Sequence, residues 1–111
     1  MKLTVVPVAV LALLLCGSPG ARADQPAFTL TIKNHQFDPV EIDVPANTKV
    51  LLTVKNLDPT VEEFDSDDLH REKVITGGHE AVVTIGPLKP GTYRFQGEYH
   101  AATAQGRVVA K

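Results

Sequence analysis

The fold class this sequence predicts is an all-β sandwich. Three observations predict it. Apolar residues alternate with polar ones at period two along most of the chain. Breaks rich in Gly, Pro, Asn and Asp separate the alternating runs. No stretch beyond the first two dozen residues carries a sustained helical period. In chain order, the first run places Phe28, Leu30 and Ile32 on one face. The second places Val40, Ile42 and Val44, and the third Val50, Leu52 and Val54. Val83 with Ile85, Tyr93 with Phe95, and Val108 with Ala110 complete the set. Each reads as a half-buried strand. Pro39, VPANT at 44–48, NLDPT at 56–60, TGGH at 76–79 and GPLKPGT at 86–92 supply the turns. Segment 65–71, DSDDLHR, lacks the alternation and is expected to hold a loop or one helical turn. The last two strands, either side of the loop carrying His100, are expected to pair as a hairpin.

The first residues follow a different grammar. Lys2 precedes an apolar run from Leu3 to Leu15, and Ala21-Arg22-Ala23 follows it. That is the pattern of a secretory signal peptide, here 1–23, with cleavage before Asp24. The run is short for a membrane span. Cys16 suggests lipidation only weakly, because Leu15 stands where a small residue is needed. Cleavage leaves one domain, residues 24–111, with a modest core. It removes the single cysteine, so the mature chain has neither disulfide nor thiolate. Loss of Lys2 and Arg22 from the eleven basic residues leaves nine, against thirteen acidic ones. That balance disfavours nucleic acid and anionic membrane as partners and favours cations or a basic protein surface.

Candidate chemistry concentrates in two places. Asp58, Glu62, Glu63, Asp65, Asp67 and Asp68 crowd one short stretch. Charge of this kind is most often a solvated loop. Here, however, Glu62 shares the parity of Phe64, so an inward Phe64 brings Glu62 inward too. An inward carboxylate needs a metal, a histidine or another partner. Among the histidines, His70 and His79 lie in polar turns and read as surface residues. His35 shares parity with Phe37 but breaks the register of Leu30 and Ile32 unless the chain kinks. His100 lies in the final loop. Imidazole combined with carboxylate suits Cu(II), iron, zinc or manganese. G-x-S-x-G, phosphate-loop and H-E-x-x-H motifs are all missing.

The runs FDPVEIDVPANTKVLLTVKNLDPTVEEF and GTYRFQGEYHAATAQG resemble the two halves of a cupredoxin, a Greek-key β-sandwich. The resemblance covers nearly all of 28–110. In its blue-copper members the ligands are two histidines, a cysteine and a methionine. On this chain the first histidine falls on Glu62, the cysteine on Gly97, the second histidine on His100, and the methionine on Ala104 or Gln105. One of the four ligands is kept, and without the thiolate a type 1 blue copper site is not expected. EEFDSDDLHREKVITGG, IGPLKPGTYRFQGEYH and TAQG resemble, more narrowly, the periplasmic cupredoxin-like proteins that accompany bacterial high-affinity iron permeases.

That resemblance implies a periplasmic protein of ferrous-iron uptake, binding copper as Cu(II) or iron, with an iron permease or other periplasmic iron-uptake component as partner. It also brings His35 close above the metal position. His35, Glu62 and His100 are then the expected inner ligands, with Glu63 and Glu98 as auxiliary ligands or supports. Glu98 ranks below the others, being opposite in parity to Gly97. Affinity should fall below about pH 6 as imidazoles take protons. Two alternatives stand beside this reading. One is a minimal copper-dependent ferroxidase, the only enzymatic activity considered. The other is a metal-free scaffold that docks a protein through its acidic edge.

Overall fold

A computed structural model describes residues 25–111. The expected signal peptide and its cleavage point lie outside the described residues. Nine strands form two sheets: β1 Ala27–Lys33, β2 Gln36–Asp38, β3 Glu41–Val44, β4 Val50–Asn56, β5 Glu62–Ser66, β6 Arg71–Ile75, β7 Glu80–Ile85, β8 Gly91–Gln96 and β9 Gln105–Ala110. One sheet has the order β2-β1-β4-β7 and the other β3-β9-β8-β5-β6. The chain passes between sheets repeatedly, as a Greek-key sandwich requires. β1 runs parallel to β4 and β3 parallel to β9; the other pairs are antiparallel. The all-β expectation holds.

Alternation did the sorting. Leu30, Ile32, Leu52, Val54, Val83 and Ile85 face inward from the first sheet. Ile42, Val44, Phe64, Phe95, Val108 and Ala110 face them from the second. Val40 departs from expectation: it precedes β3 and lies half exposed. At one end of the core Phe37, Phe64 and Phe95 pack together. Their ring centroids are 5.0 Å apart for Phe37–Phe95 and Phe64–Phe95, and 6.4 Å for Phe37–Phe64. The Phe37–Phe95 pair is edge-to-face, the arrangement aromatic quadrupoles favour.

Segment 65–71 also differs from its expected form. β5 continues through Ser66, residues 67–70 make the turn, and β6 begins at Arg71. β6 was hidden because it is a sheet edge, with only Ile75 buried and Arg71, Glu72 and Lys73 exposed. Charge on an edge strand blocks pairing with other chains. Ser66 secures the turn: its hydroxyl donates to the Arg94 carbonyl at 2.6 Å and accepts from the Leu69 N–H at 3.0 Å. β8 and β9 pair antiparallel as expected, from Gly91↔Ala110 to Gln96↔Gln105. Between them stands a short 3-10 helix, Glu98–His100.

Candidate metal site

His35 arrives on a two-residue hairpin turn. β1 and β2 pair up to Lys33↔Gln36, leaving Asn34 and His35 as the turn. Both have positive φ, 54° and 58°, as a type I′ turn demands. This is the kink that resets parity, so that Phe37 pairs with Ile32 and both are buried. Left-handed backbone is costly for residues other than glycine, and a buried carboxylate holds it. Asn34 N–H donates to Asp58 Oδ1 at 2.6 Å, and His35 N–H to Asp58 Oδ2 at 3.0 Å. Burial alone would raise the Asp58 pKa, but the His35 and Asn34 amides together outweigh it and hold the group below its usual range.

Asp58 is itself fixed from below. Asn56, fully buried, accepts the Asp58 N–H through Oδ1 at 2.9 Å. Its amide nitrogen donates to the carbonyls of Thr60 and Ile75. Every polar atom of the Asn56 side chain is therefore used, which makes its burial inexpensive. Asp58 and Asn56 were missed as site supports in the sequence, where Asp58 read only as part of an acidic loop. The available signal was local: an Asn at a two-residue hairpin turn, and an Asx residue two before another in NLD.

Glu62 opens β5 and points inward with Phe64, as parity requires; its side chain is 1% exposed. His100 closes the 3-10 helix, whose turn is held by Thr103 N–H and Ala104 N–H donating to the His100 carbonyl. Thr103 ties this loop to the hairpin, its hydroxyl donating to the His35 carbonyl at 2.6 Å. The result is a buried carboxylate clasped by two imidazoles. His35 Nδ1 lies 2.6 Å from Glu62 Oε2, and His100 Nδ1 lies 3.0 Å from Glu62 Oε1. The two rings stack at 3.6 Å between centroids, 16° from parallel. A carboxylate can only accept, so this arrangement puts a proton on each Nδ1.

Three donor atoms, one from each residue, lie within 4.8 Å of one another. Two nitrogens and an oxygen at that spacing form a set that a transition ion can bridge with bonds of ~2.0–2.2 Å. The ion would take the place of the two Nδ1 protons. His35 and His100 are 40% and 32% exposed on their side chains, so solvent reaches one side of the cluster.

The structure brings together three of the five residues expected at the site and sets the other two apart. Glu63 follows Glu62 on β5 and so points to the opposite face of the sheet. Glu98 lies on the 3-10 helix rather than on a strand. Both belong to a separate carboxylate group with Glu72 of β6. Burial, then the carboxyl of Glu72 and the charges of Glu98 and Asp65, push the Glu63 pKa up to about 7. Asp65 is raised too, by burial and then by Glu72, Glu98 and Asp67. His70 and His79 are exposed.

The folded chain holds the Glu63 proton between about pH 4.5 and 7 while the unfolded chain releases it. Stability therefore falls as pH rises through that window, and the cost is complete above it. Glu63→Gln removes the titration and offers an amide to neighbouring carboxylates. The metal-free variant is expected to exceed wild type by on the order of 2 kcal/mol at pH 8 and to match it near pH 4. Urea unfolding of both proteins at the two pH values measures the difference.

Gly97 stands where the cysteine of a blue-copper member would fall. Its backbone is extended, so the position is closed by space and not by dihedral. A Cβ there would lie 3.0 Å from Ala104 Cβ, 3.0 Å from the Glu63 carbonyl oxygen and 3.7 Å from the Phe37 ring. Ala104 is fully buried. Gly97→Ala is expected to cost about 1–2 kcal/mol through overpacking, read as a lowered Tm.

The sequence matches the cupredoxin-like domain family over residues 6–110. This chain belongs to the cupredoxin-like family. An uncharacterized protein of Rickettsia prowazekii (strain Madrid E) is 45% identical over 80 residues, or 72% of the chain. The chain spans about 64% of that relative's length. Among solved structures, the metal-binding domain of the Cu(I)-exporting P-type ATPase CopA of Streptococcus pneumoniae D39 superposes with a TM-score of 0.68 at 14% identity, covering 77% of this chain and 84% of that one. Auracyanin A, a blue copper protein of Chloroflexus aurantiacus, also gives 0.68, at 16% identity, over 77% of this chain and 98% of its own. The purple cupredoxin of Nitrosopumilus maritimus gives 0.59 at 17%, over 75% and 98%. At these identities the likeness is one of fold. The cupredoxin-like chain thus places a His/Glu/His cluster at one end of a sandwich that is shared with copper proteins.

Proposed function

We propose that this cupredoxin-like protein binds Cu(II) or iron through His35, Glu62 and His100, and that it serves ferrous-iron uptake in the periplasm beside an iron permease. One observation carries the metal reading: Glu62, 1% exposed on its side chain, faces imidazole Nδ1 atoms with both of its oxygens, at 2.6 and 3.0 Å. Solved relatives in fold are described as copper proteins, which supports copper as the first ion to try. Residues 25–111 contain no cysteine, so a site made from them has no thiolate and is not of the blue type. The nitrogen and oxygen donors favour Cu(II), Fe(II) or Fe(III) over Cu(I).

Calorimetric titration of the metal-free protein with Cu(II), and separately with Fe(II) under anaerobic conditions, tests this. One ion per chain is expected, with affinity lost in the Glu62→Ala/His100→Ala double variant. Unchanged affinity in that variant would remove the site. The uptake role rests on the narrower sequence resemblance. It predicts an adjacent permease gene and impaired growth on limiting iron when this gene is deleted.

A second reading has one observation in its favour. Glu62 has two hydrogen-bond partners without any ion. The cluster would then be a clasp joining the β1–β2 hairpin, β5 and the final loop. An absence of bound metal after native purification, together with a flat titration, would select this reading.

A further inference from the structure

A different group of residues carries a second binding site. Glu63 is 3% exposed, yet its Oε1 has no hydrogen-bond partner. A buried carboxylate oxygen without a partner is expensive. What faces it are acids. Carboxylate oxygens of Glu63, Glu72 and Glu98 lie within 4.8 Å of one another. They come from β5, β6 and the 3-10 helix, so the fold has to converge to bring them together. Asp65, two residues along β5 and opposite Glu72 in register, adds a fourth negative group. Among the described residues, no salt bridge neutralises any of the four. Arg71, next in chain, instead directs its guanidinium to the carbonyls of Thr84 and His70.

We propose that Glu63, Glu72 and Glu98 form a second cation site, separate from the His35/Glu62/His100 cluster, that takes a hard, oxygen-preferring di- or trivalent cation. The chemistry follows from the donors. All are carboxylate oxygens, with no nitrogen or sulfur, the set that suits Mn(II), Ca(II), Fe(III) and the lanthanides. Glu63 supplies a donor that is already desolvated and fixed by its strand, while exposed Glu72 and Glu98 can adjust around an ion. The site does not depend on the first cluster being a metal site. It does share two elements with it: β5 carries Glu62 and Glu63 to opposite faces, and the 3-10 helix carries both Glu98 and His100.

Tb(III) is the direct probe. The chain has no tryptophan, and Tyr99 stands between Glu98 and His100, so tyrosine-sensitised emission reports binding near the 3-10 helix and the variants assign it to one cluster. Wild type is expected to bind one Tb(III) with sensitised emission, and Mn(II) is expected to compete. Glu63→Gln and Glu72→Gln should each weaken Tb(III) by at least about tenfold. Glu72 is exposed, so that variant leaves the core intact. His100→Ala, which breaks the other cluster, should leave Tb(III) affinity within about twofold, and Glu72→Gln should leave Cu(II) affinity unchanged. No saturable Tb(III) binding to wild type would overturn the proposal, leaving Glu63 as a carboxyl that shares a proton with Glu72. So would equal affinity in wild type, Glu63→Gln and Glu72→Gln.

Discussion

Replacing Glu62 with alanine should lower Cu(II) affinity by at least about 100-fold. Altering a group that merely orients a ligand already costs 10–100-fold in metal affinity, and Glu62 is proposed as a ligand itself. Its carboxylate touches both imidazoles, at 2.6 and 3.0 Å. Removing it leaves Asp58, whose Oδ2 lies 3.5 Å from His35 Nδ1, as the nearest carboxylate to the two rings. Glu62→Gln separates charge from shape. The amide keeps the volume but carries no negative charge, and it can accept from only one ring through its oxygen. It should lie between wild type and alanine in affinity. Calorimetric titration of the three proteins gives the series. Both imidazoles are partly exposed, so water can take over their N–H groups and the variants should stay folded.

Asp58→Ala should destabilise the protein by about 2–4 kcal/mol and weaken metal binding by about 10–100-fold. The carboxylate accepts the amides of two successive residues in left-handed backbone, at 2.6 and 3.0 Å. Without it both N–H groups lose their acceptor, and nothing offsets the strain at Asn34 and His35. His35 then loses its fixed place over Glu62. Urea unfolding gives the stability, and Cu(II) titration gives the affinity. The pH dependence has a definite sign. The folded pKa of Asp58 is lowered, so its contribution is complete above the ordinary aspartate value of 3.8 and is lost as pH falls through the folded value. Wild type should therefore lose its advantage over Asp58→Ala only in strong acid. A difference that vanished near neutrality would mean Asp58 is not the anchor of the turn.

The sandwich was legible because burial obeys period two wherever a strand has one wet face. Leu30 and Ile32, Leu52 and Val54, and Val83 and Ile85 are buried as alternation demands. β6 was illegible for the converse reason: an edge strand exposing Arg71, Glu72, Lys73 and Val74 buries too little to leave a pattern. The inward turn of Glu62 followed from its parity with Phe64, a local rule that survives folding. The meeting of His35 with His100 is a long-range fact, and only the family resemblance pointed to it. Glu63 and Glu98, expected as auxiliary ligands or supports of the His35/Glu62/His100 cluster, instead have carboxylate oxygens grouped with that of Glu72. On a strand, adjacent residues face opposite ways. Asp58 looked like one charge among many, since its backbone partners lie 23 and 24 residues away.

One end of this sandwich is proposed to be a two-imidazole, one-carboxylate metal site. Electron paramagnetic resonance of the Cu(II)-loaded protein tests it most directly, because nitrogen couplings count the imidazoles bound to the ion. One Cu(II) per chain with coupling to two imidazole nitrogens is expected, falling to one in His100→Ala and to none in the His35→Ala/His100→Ala double variant. A wild-type spectrum with oxygen ligands alone, or one that the double variant leaves unchanged, would contradict it.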